Sequence, residues 1–285
     1  MSWLLIGKNG MLGSVFAQRE VSLSKDLFCV DIDELDITDI SNVRNIFHKI
    51  KPQYVINCSA YTNVDGAETE REKCRLINCD GVANLAVECA KIGAVLVHFS
   101  TDFVFDGTKK GAYNEDDPVN PLSYYGLTKL EGEKSIQSIM RLNDYLIIRT
   151  SWLFGPRGMN FVARIISLAG EKPKLQIVSD QIGNPTYTRD LAKAVILLLN
   201  KSARGIFHIT NQGPCSWYDL ARFALDEYGL QNYITEKIDS NQLNRPAKRP
   251  ANSQLNISKF ENLCNIKMRS WQEVVREYVH EFLIG

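Results

Sequence analysis

The sequence has no excess of charge of either sign. Its 33 lysines and arginines are matched by 33 aspartates and glutamates, so the formal net charge is zero. A chain that grips nucleic acid needs a basic face against the phosphates, and this balance argues against one. No apolar run approaches the roughly 18–20 residues that span a bilayer, so no membrane segment is expected. The seven cysteines (Cys29, Cys58, Cys74, Cys79, Cys89, Cys215, Cys264) are odd in number and form no C-x-x-C pair, which disfavours a disulfide framework or a zinc ribbon. The four histidines (His48, His98, His208, His280) form no H-E-x-x-H pair, and no metal ligand set is visible. The apolar opening, residues 1–10, lacks a basic leader and a small-residue cleavage site. It is expected to be a strand rather than a signal peptide, and the expected compartment is a reducing cytoplasm.

What is present is the make-up of a globular chain: 285 residues, 45% hydrophobic and 23% charged. The first half alternates strand and helix patterns. Strands are predicted at Trp3–Ile6, Leu27–Val30, Tyr54–Cys58, Val95–Ser100 and Tyr145–Arg149. Helices are predicted from Met11 to about Arg19, at Ile40–Ile50 capped by Thr38 or Ser41, at Lys73–Ile92 as one long helix, and at Tyr124–Ile136. This alternation implies a doubly wound α/β fold, a parallel sheet with helices on both faces. After Thr150 the pattern loosens. Helices are predicted at Asn160–Leu168 and Leu191–Leu199, strands at Leu175–Val178 and Ile206–Ile209, and a loop at Asn244–Gln254. The expected division is a sheet domain over 1–151 and 186–209 and a smaller α/β domain over 152–185 and 210–285.

The first strand runs into Gly7-Lys8-Asn9-Gly10-Met11-Leu12-Gly13, a G-x-x-G-x-x-G turn before a helix. Glycines there permit a tight turn, close approach of a pyrophosphate and close helix–sheet packing, so dinucleotide binding is favoured over a bare turn. Asp31 ends the second strand 18 residues after Gly13, where an acid suits the hydroxyls of NADH's adenosine ribose. Lys8 in the turn would instead suit the 2′-phosphate of NADPH. Both cofactors therefore stay open. Asp36 and Ile37 suit an adenine, one for its amino group and one for its ring.

Tyr125 and Lys129 stand four residues apart, on one face of a predicted helix. A nearby ammonium favours the phenolate, so Lys129 is expected to lower the Tyr125 pKa and make the phenol a usable acid. Such a pair also occurs by chance on helix surfaces. Thr101 follows the fourth predicted strand, and chemistry in doubly wound sheets gathers at the carboxyl ends of strands.

Taken with 55–68 (VINCSAYTNVDGAE), 99–107 (FSTDFVFDG), 120–133 (NPLSYYGLTKLEGE), 149–155 (RTSWLFG), 180–186 (DQIGNPT) and 249–256 (RPANSQLN), these segments resemble the extended short-chain dehydrogenase/reductase superfamily. Within it the chain is similar to the dTDP-4-dehydrorhamnose reductases over nearly its whole length. The resemblance implies a Rossmann domain beside a nucleotide-sugar domain, NADPH or NADH as cofactor, and reduction of the C4 ketone of a dTDP-linked sugar. It implies a catalytic Thr101, Tyr125 and Lys129. It implies cofactor contacts at Gly10, Met11, Leu12, Asp36, Ile37, Ala60, Tyr61, Thr62, Phe99, Tyr125 and Lys129 (the last to the nicotinamide ribose), beside Gly7, Gly13 and Asp31 from the turn and strand. Sugar contacts fall at Thr101, Asp102 and Trp152. Trp152 also reads as a domain-junction core residue. Arg249, in a basic loop, suits a diphosphate or is simply solvated. Asn78 is either part of a proton relay or a polar residue on the long helix.

Some relatives hold Mg²⁺ at a dimer interface through glutamates. Here those positions fall on Ser14-Val15 and Tyr187-Thr188-Arg189, so a monomer or a metal-independent dimer is expected. Dehydratases of the superfamily carry Asp-Glu where this chain has Asp102-Phe103, which disfavours elimination. Two rivals remain: a reductase or epimerase of another dTDP-6-deoxy-4-ketosugar, and a non-catalytic binding subunit, as in the regulatory β subunit of methionine adenosyltransferase.

Overall fold

The computed structural model describes residues 2–18 and 26–284. Five strands follow one another with helices between them: β1 (Ser2–Ile6), β2 (Asp26–Val30), β3 (Tyr54–Asn57), β4 (Val95–Thr101) and β5 (Tyr145–Thr150). The short β6 (Leu153–Phe154), β7 (Lys174–Val178), β8 (Ile182–Gly183) and β9 (Thr186–Tyr187) come next, then β10 (Gly205–His208), β11 (Cys215–Ser216) and β12 (Ile234–Ile238). The main sheet has the order β10-β5-β4-β3-β1-β2, and every neighbouring pair in it is parallel. The chain thus has the doubly wound α/β architecture. The chain leaves β1 toward β2 on one side, while β3 lies on the other. The switch point, where such sheets bind ligands, is at the carboxyl ends of β1 and β3.

The helices are α1 (Gly13–Phe16), α2 (Ile40–Ile50), α3 (Arg71–Arg75), α4 (Gly81–Ile92), α5 (Tyr124–Ile139), α6 (Phe161–Glu171), α7 (Thr188–Asn200), α8 (Trp217–Glu227), α9 (Ser258–Cys264) and α10 (Trp271–Val279). Side chains alternate across each strand and feed two cores. Leu4, Ile6, Val55, Leu96 and Ile147 pack with Phe47, Val82, Leu85 and Ile136 on the face of α2, α4 and α5. Leu5, Ile56, Val97, Leu146 and Ile148 pack with Leu191, Val195 and Leu198 on the face of α7. A third core, with Phe154, Ile165, Leu175, Tyr187, Leu220 and Trp271, fills the smaller lobe.

Three local expectations need correction. The first helix is regular only over Gly13–Phe16, and its expected end at Arg19 lies outside the described residues. The cap of α2 is Asp39, whose carboxylate accepts from the N–H groups of Ser41 and Asn42. Thr38 lies one residue before that cap position, and its hydroxyl donates to Asp36 at 2.7 Å. The long helix over Lys73–Ile92 is interrupted by a π-helical turn at Leu76–Asp80 between α3 and α4. Such turns are inserted where one side chain must be re-aimed, and here it is Asn78. Its amide accepts from Tyr61 N at 2.9 Å and donates to Tyr61 O at 3.0 Å.

Candidate active site

The glycine turn lies at the switch point. Gly7 has φ +82°, and a Cβ on it would come within 3.0 Å of Ser59 N, in the loop after β3. A Cβ on Gly13 would sit 1.9 Å from Gly7 O. Only glycine lets the turn close this tightly against β3 and α1. The cleft it borders, about 290 Å³, is also lined by Gly10, Asp31, Asp36, Ile37 and Ala60. Asp31 accepts from Asn9 N at 2.8 Å. The Lys8 ammonium is paired with Glu34, which also accepts from Asp31 N at 2.7 Å. That pairing raises the Lys8 pKa and lowers that of Glu34. The cation expected to meet a 2′-phosphate already has a carboxylate partner. The other expected cofactor positions fall differently. Leu12 and the Phe99 ring are in the core, Met11 is half-buried, Tyr61 is buried and held by Asn78 through its backbone, and Thr62 is exposed.

The carboxyl end of β4 and the start of α5 form the second part of the site. Ser123 caps α5, its hydroxyl accepting from Gly126 N at 3.2 Å. Two glycines let the helix press in. A Cβ on Gly126 would lie 2.3 Å from Phe103 O, and one on Gly132 2.3 Å from Asn78 O. Tyr125 and Lys129 share the inward face. The Tyr125 ring meets Phe103 edge-on at 5.9 Å, and its phenol lies beside Thr101. The Thr101 hydroxyl donates to Asp102 Oδ1 at 3.0 Å, and it accepts from Phe103 N.

The electrostatics depart from expectation. Desolvation pushes the Tyr125 phenol above its ordinary pKa, and the neighbouring Thr101 offsets this only in part. Lys129 is not what governs it. The Lys129 Nζ donates to Phe99 O at 2.6 Å and lies 3.3 Å from His98 Nε2. Burial brings the Lys129 pKa down to about 8, opposed by Glu133 and Cys74. Asp102 is driven up to about 6 by burial, although Thr101 hydrogen-bonds to it and Ser253 lies nearby. Its Oδ2 has no partner among the described residues. Asn78 reaches Thr128 at 3.3 Å, so it ties α5 to the Tyr61 loop.

A larger cleft of about 480 Å³ opens beside Tyr125's neighbour Phe103, between the two lobes. Phe161, Trp217, Gln176, Arg245 and Arg249 line it. Trp152 reaches it through a neighbour. It has φ +47°, stacks on Trp217 at 3.5 Å between centroids, and lies where a Cβ on Gly183 would come within 2.6 Å. Arg249 is not simply solvated: it forms a bidentate pair with Asp65 at 2.9 and 3.0 Å. Trp217, Phe161 and Arg245 were not singled out from the sequence. Their only signal was an aromatic or basic residue in the loosely patterned second half, which is too common to read.

The arrangement, a glycine-bordered cleft at the switch point, a phenol, a hydroxyl and a lysine at the end of β4, and an aromatic and arginine-lined cleft, suits hydride exchange with a nucleotide-linked carbonyl compound. Comparisons with known proteins agree. The chain is 40% identical to the spore coat polysaccharide biosynthesis protein SpsK of Bacillus subtilis (strain 168), over 98% of this chain and 96% of that one. It is 36% identical to a dTDP-4-dehydrorhamnose reductase of Aggregatibacter actinomycetemcomitans, over 96% of both. The crystal structure of dTDP-4-dehydrorhamnose reductase from Bacillus anthracis str. Ames in complex with NADP superposes with a TM-score of 0.92 at 34% identity, over 99% of this chain and 100% of that one. The family model described as RmlD substrate binding domain matches residues 1–284, and the chain belongs to that family.

Proposed function

We propose that the protein is an NADPH- or NADH-dependent ketoreductase that converts dTDP-4-dehydro-L-rhamnose to dTDP-L-rhamnose. The observation that carries this is the meeting of Thr101 and Tyr125 at the end of β4, beside the glycine-turn cleft. The cleft suits a dinucleotide, because the turn that Gly7 and Gly13 keep tightly closed presents Gly10, which has no side chain, to it. When bound, the reduced nicotinamide supplies the hydride. Thr101 and Tyr125 hold the ketone oxygen, and Tyr125 gives it a proton as the alkoxide forms. The raised Tyr125 pKa serves this direction of reaction, since the phenol stays protonated until the alkoxide develops. Lys129 anchors the floor of the site through Phe99 O. Arg249 meets the diphosphate, and the aromatic cleft takes the nucleoside. In this reading residues 1–151 and 186–209 hold the cofactor, and 152–185 and 210–285 hold the sugar nucleotide. The setting is cytoplasmic and the assembly a monomer or a metal-independent dimer.

The test follows nicotinamide absorbance with dTDP-4-dehydro-L-rhamnose and each cofactor in turn. Substrate-dependent oxidation with a dTDP-L-rhamnose product supports the assignment, and the ratio of rates ranks the cofactors. Turnover of another dTDP-4-ketosugar alone would reassign the substrate. Interconversion without net cofactor consumption would make the protein an epimerase. Tight binding without turnover would make it a binding subunit.

A further inference from the structure

Behind Lys129 lies a buried chain of side chains that the reaction above does not use: Ser59, Asn57 and His98. Asn57 and His98 are almost wholly inaccessible. The orientation of Asn57 follows from its partners. Its Oδ1 receives Ser59 N–H at 3.1 Å, and a backbone N–H can only donate. The Ser59 hydroxyl donates to the same oxygen at 2.5 Å. Nδ2 is therefore the atom turned to His98 Nδ1, 3.2 Å away, and an amide nitrogen also only donates. Nδ1 must accept, so a neutral His98 carries its hydrogen on Nε2. That N–H points at Lys129 Nζ, 3.3 Å away. An ammonium has no lone pair, and two N–H groups would then oppose each other in a dry site. All contacts are satisfied at once only by an amine. Its lone pair accepts from His98 Nε2, while one of its own N–H groups goes to Phe99 O at 2.6 Å.

We propose that His98, oriented by Asn57, is a positioning residue that favours the amine form of Lys129, so that the lysine can exchange a proton near neutral pH instead of remaining a fixed cation. The groups around Lys129 are consistent with this. His98 on β4 stays neutral, driven well below its ordinary pKa chiefly by burial. Glu133, one turn along α5, would favour the ammonium. Its carboxylate, however, is already engaged by Arg149, at 2.7 and 3.0 Å, and by Ser100. Cys74 on α3 is itself pushed up by burial and so stays a thiol. Tyr125 and Asp102 lie on the substrate side and also tend to neutrality. A Lys129 pKa of about 8 leaves the ammonium in the majority at neutral pH but brings the amine within easy reach of it.

The relevance of this device to catalysis rests on the proposed reductase role of Lys129, but its test does not need turnover. With four histidines in the chain, long-range proton–nitrogen spectra of histidine-labelled protein can resolve each tautomer. His98→Gln identifies the His98 signal. The expected result is a neutral His98 with its hydrogen on Nε2 throughout the neutral range. A hydrogen on Nδ1, or a charged ring, overturns the proposal. In lysine-labelled protein, Lys129 should titrate near pH 8. In His98→Gln, whose side-chain carbonyl can accept from an ammonium, the midpoint should rise by about one unit, a tenfold shift in proton affinity. An unmoved midpoint, or a wild-type lysine at its ordinary value, also overturns it. The pH profile of the reductase rate should move with that midpoint. If the protein proves not to be a reductase, the spectra are unaffected. If the spectra fail, the reductase assignment stands.

Discussion

Tyr125 and Asp102 show how burial alone can set the chemistry of a residue. The spacing of Tyr125 and Lys129 is legible in the sequence because a helix repeats every 3.6 residues and brings positions four apart together. Which groups then govern the phenol is not legible, since it depends on how deep α5 sinks against β4. Burial raises the Tyr125 pKa, which suits a proton donor. Replacing Tyr125 by Phe removes the proton and little else, and kcat should fall about 10²–10⁴-fold in the steady-state assay. A near-normal rate would remove Tyr125 from the reaction. Asp102 is the converse case. Its folded-state pKa, about 6, lies above the ordinary 3.8, so the native state binds the proton more tightly than the unfolded chain does. No penalty exists below the unfolded value. It develops as pH rises between the two values and is complete above the folded one. Asp102→Asn should therefore stabilise the protein at neutral pH by about 2–3 kcal/mol and be nearly neutral at low pH. Denaturant unfolding at the two pH values measures this. An equal effect at both would mean that the carboxylate is not strained by burial.

At the scale of elements, strands were the easiest part to read. Each of β1, β3, β4 and β5 is a short run rich in aliphatic and aromatic residues, too short for a helical period to compete. The departures lie where tertiary contacts override local preference. Asp39, directly before Ile40, caps α2, while the Thr38 side chain turns back to Asp36. The π-turn at Leu76–Asp80 exists because Asn78 reaches Tyr61, a partner 17 residues away that no local periodicity encodes. His98 escaped notice for a related reason. It sits on β4, and its contact with Asn57 appears only once β3 and β4 are in register, with Asn57 opposite His98. The docking of α5 on the π-turn gives a test. A methyl on Gly132 would meet the Asn78 carbonyl at 2.3 Å, and backbone on both sides leaves it nowhere to go. Gly132→Ala should destabilise the protein by about 1–3 kcal/mol despite alanine's better helix propensity. Unfolding in urea measures it, and a gain in stability would show that α5 can shift freely.

For the whole molecule, the sequence told most about the main sheet and least about how the second half of the chain covers it. The main sheet was legible from alternation, because its strands are buried on both faces and its helices on one. The smaller lobe uses two-residue strands such as β8 and β11 and aromatic stacking such as Trp152 on Trp217, and these carry no periodic signature. Yet the cleft between the lobes depends on that half. Among the described residues no helix is long and apolar enough to cross a membrane, and Arg249 spans the cleft to reach Asp65 on the loop after β3. If Arg249 also meets the diphosphate, thymidine diphosphate should act on the whole molecule by mass action. At about a hundredfold over its Kd, a ligand specific to the folded state adds about 2.7 kcal/mol, which is several degrees in unfolding temperature. NADPH should do the same independently through the glycine turn. Arg249→Met should keep the NADPH shift and lose most of the thymidine diphosphate shift. The retained NADPH response shows that the variant is folded, so the loss can be assigned to the lost contact. A full thymidine diphosphate shift in that variant would move the diphosphate anchor elsewhere, with Arg245, on the same loop and 3.9 Å from Asp65, as the next residue to replace.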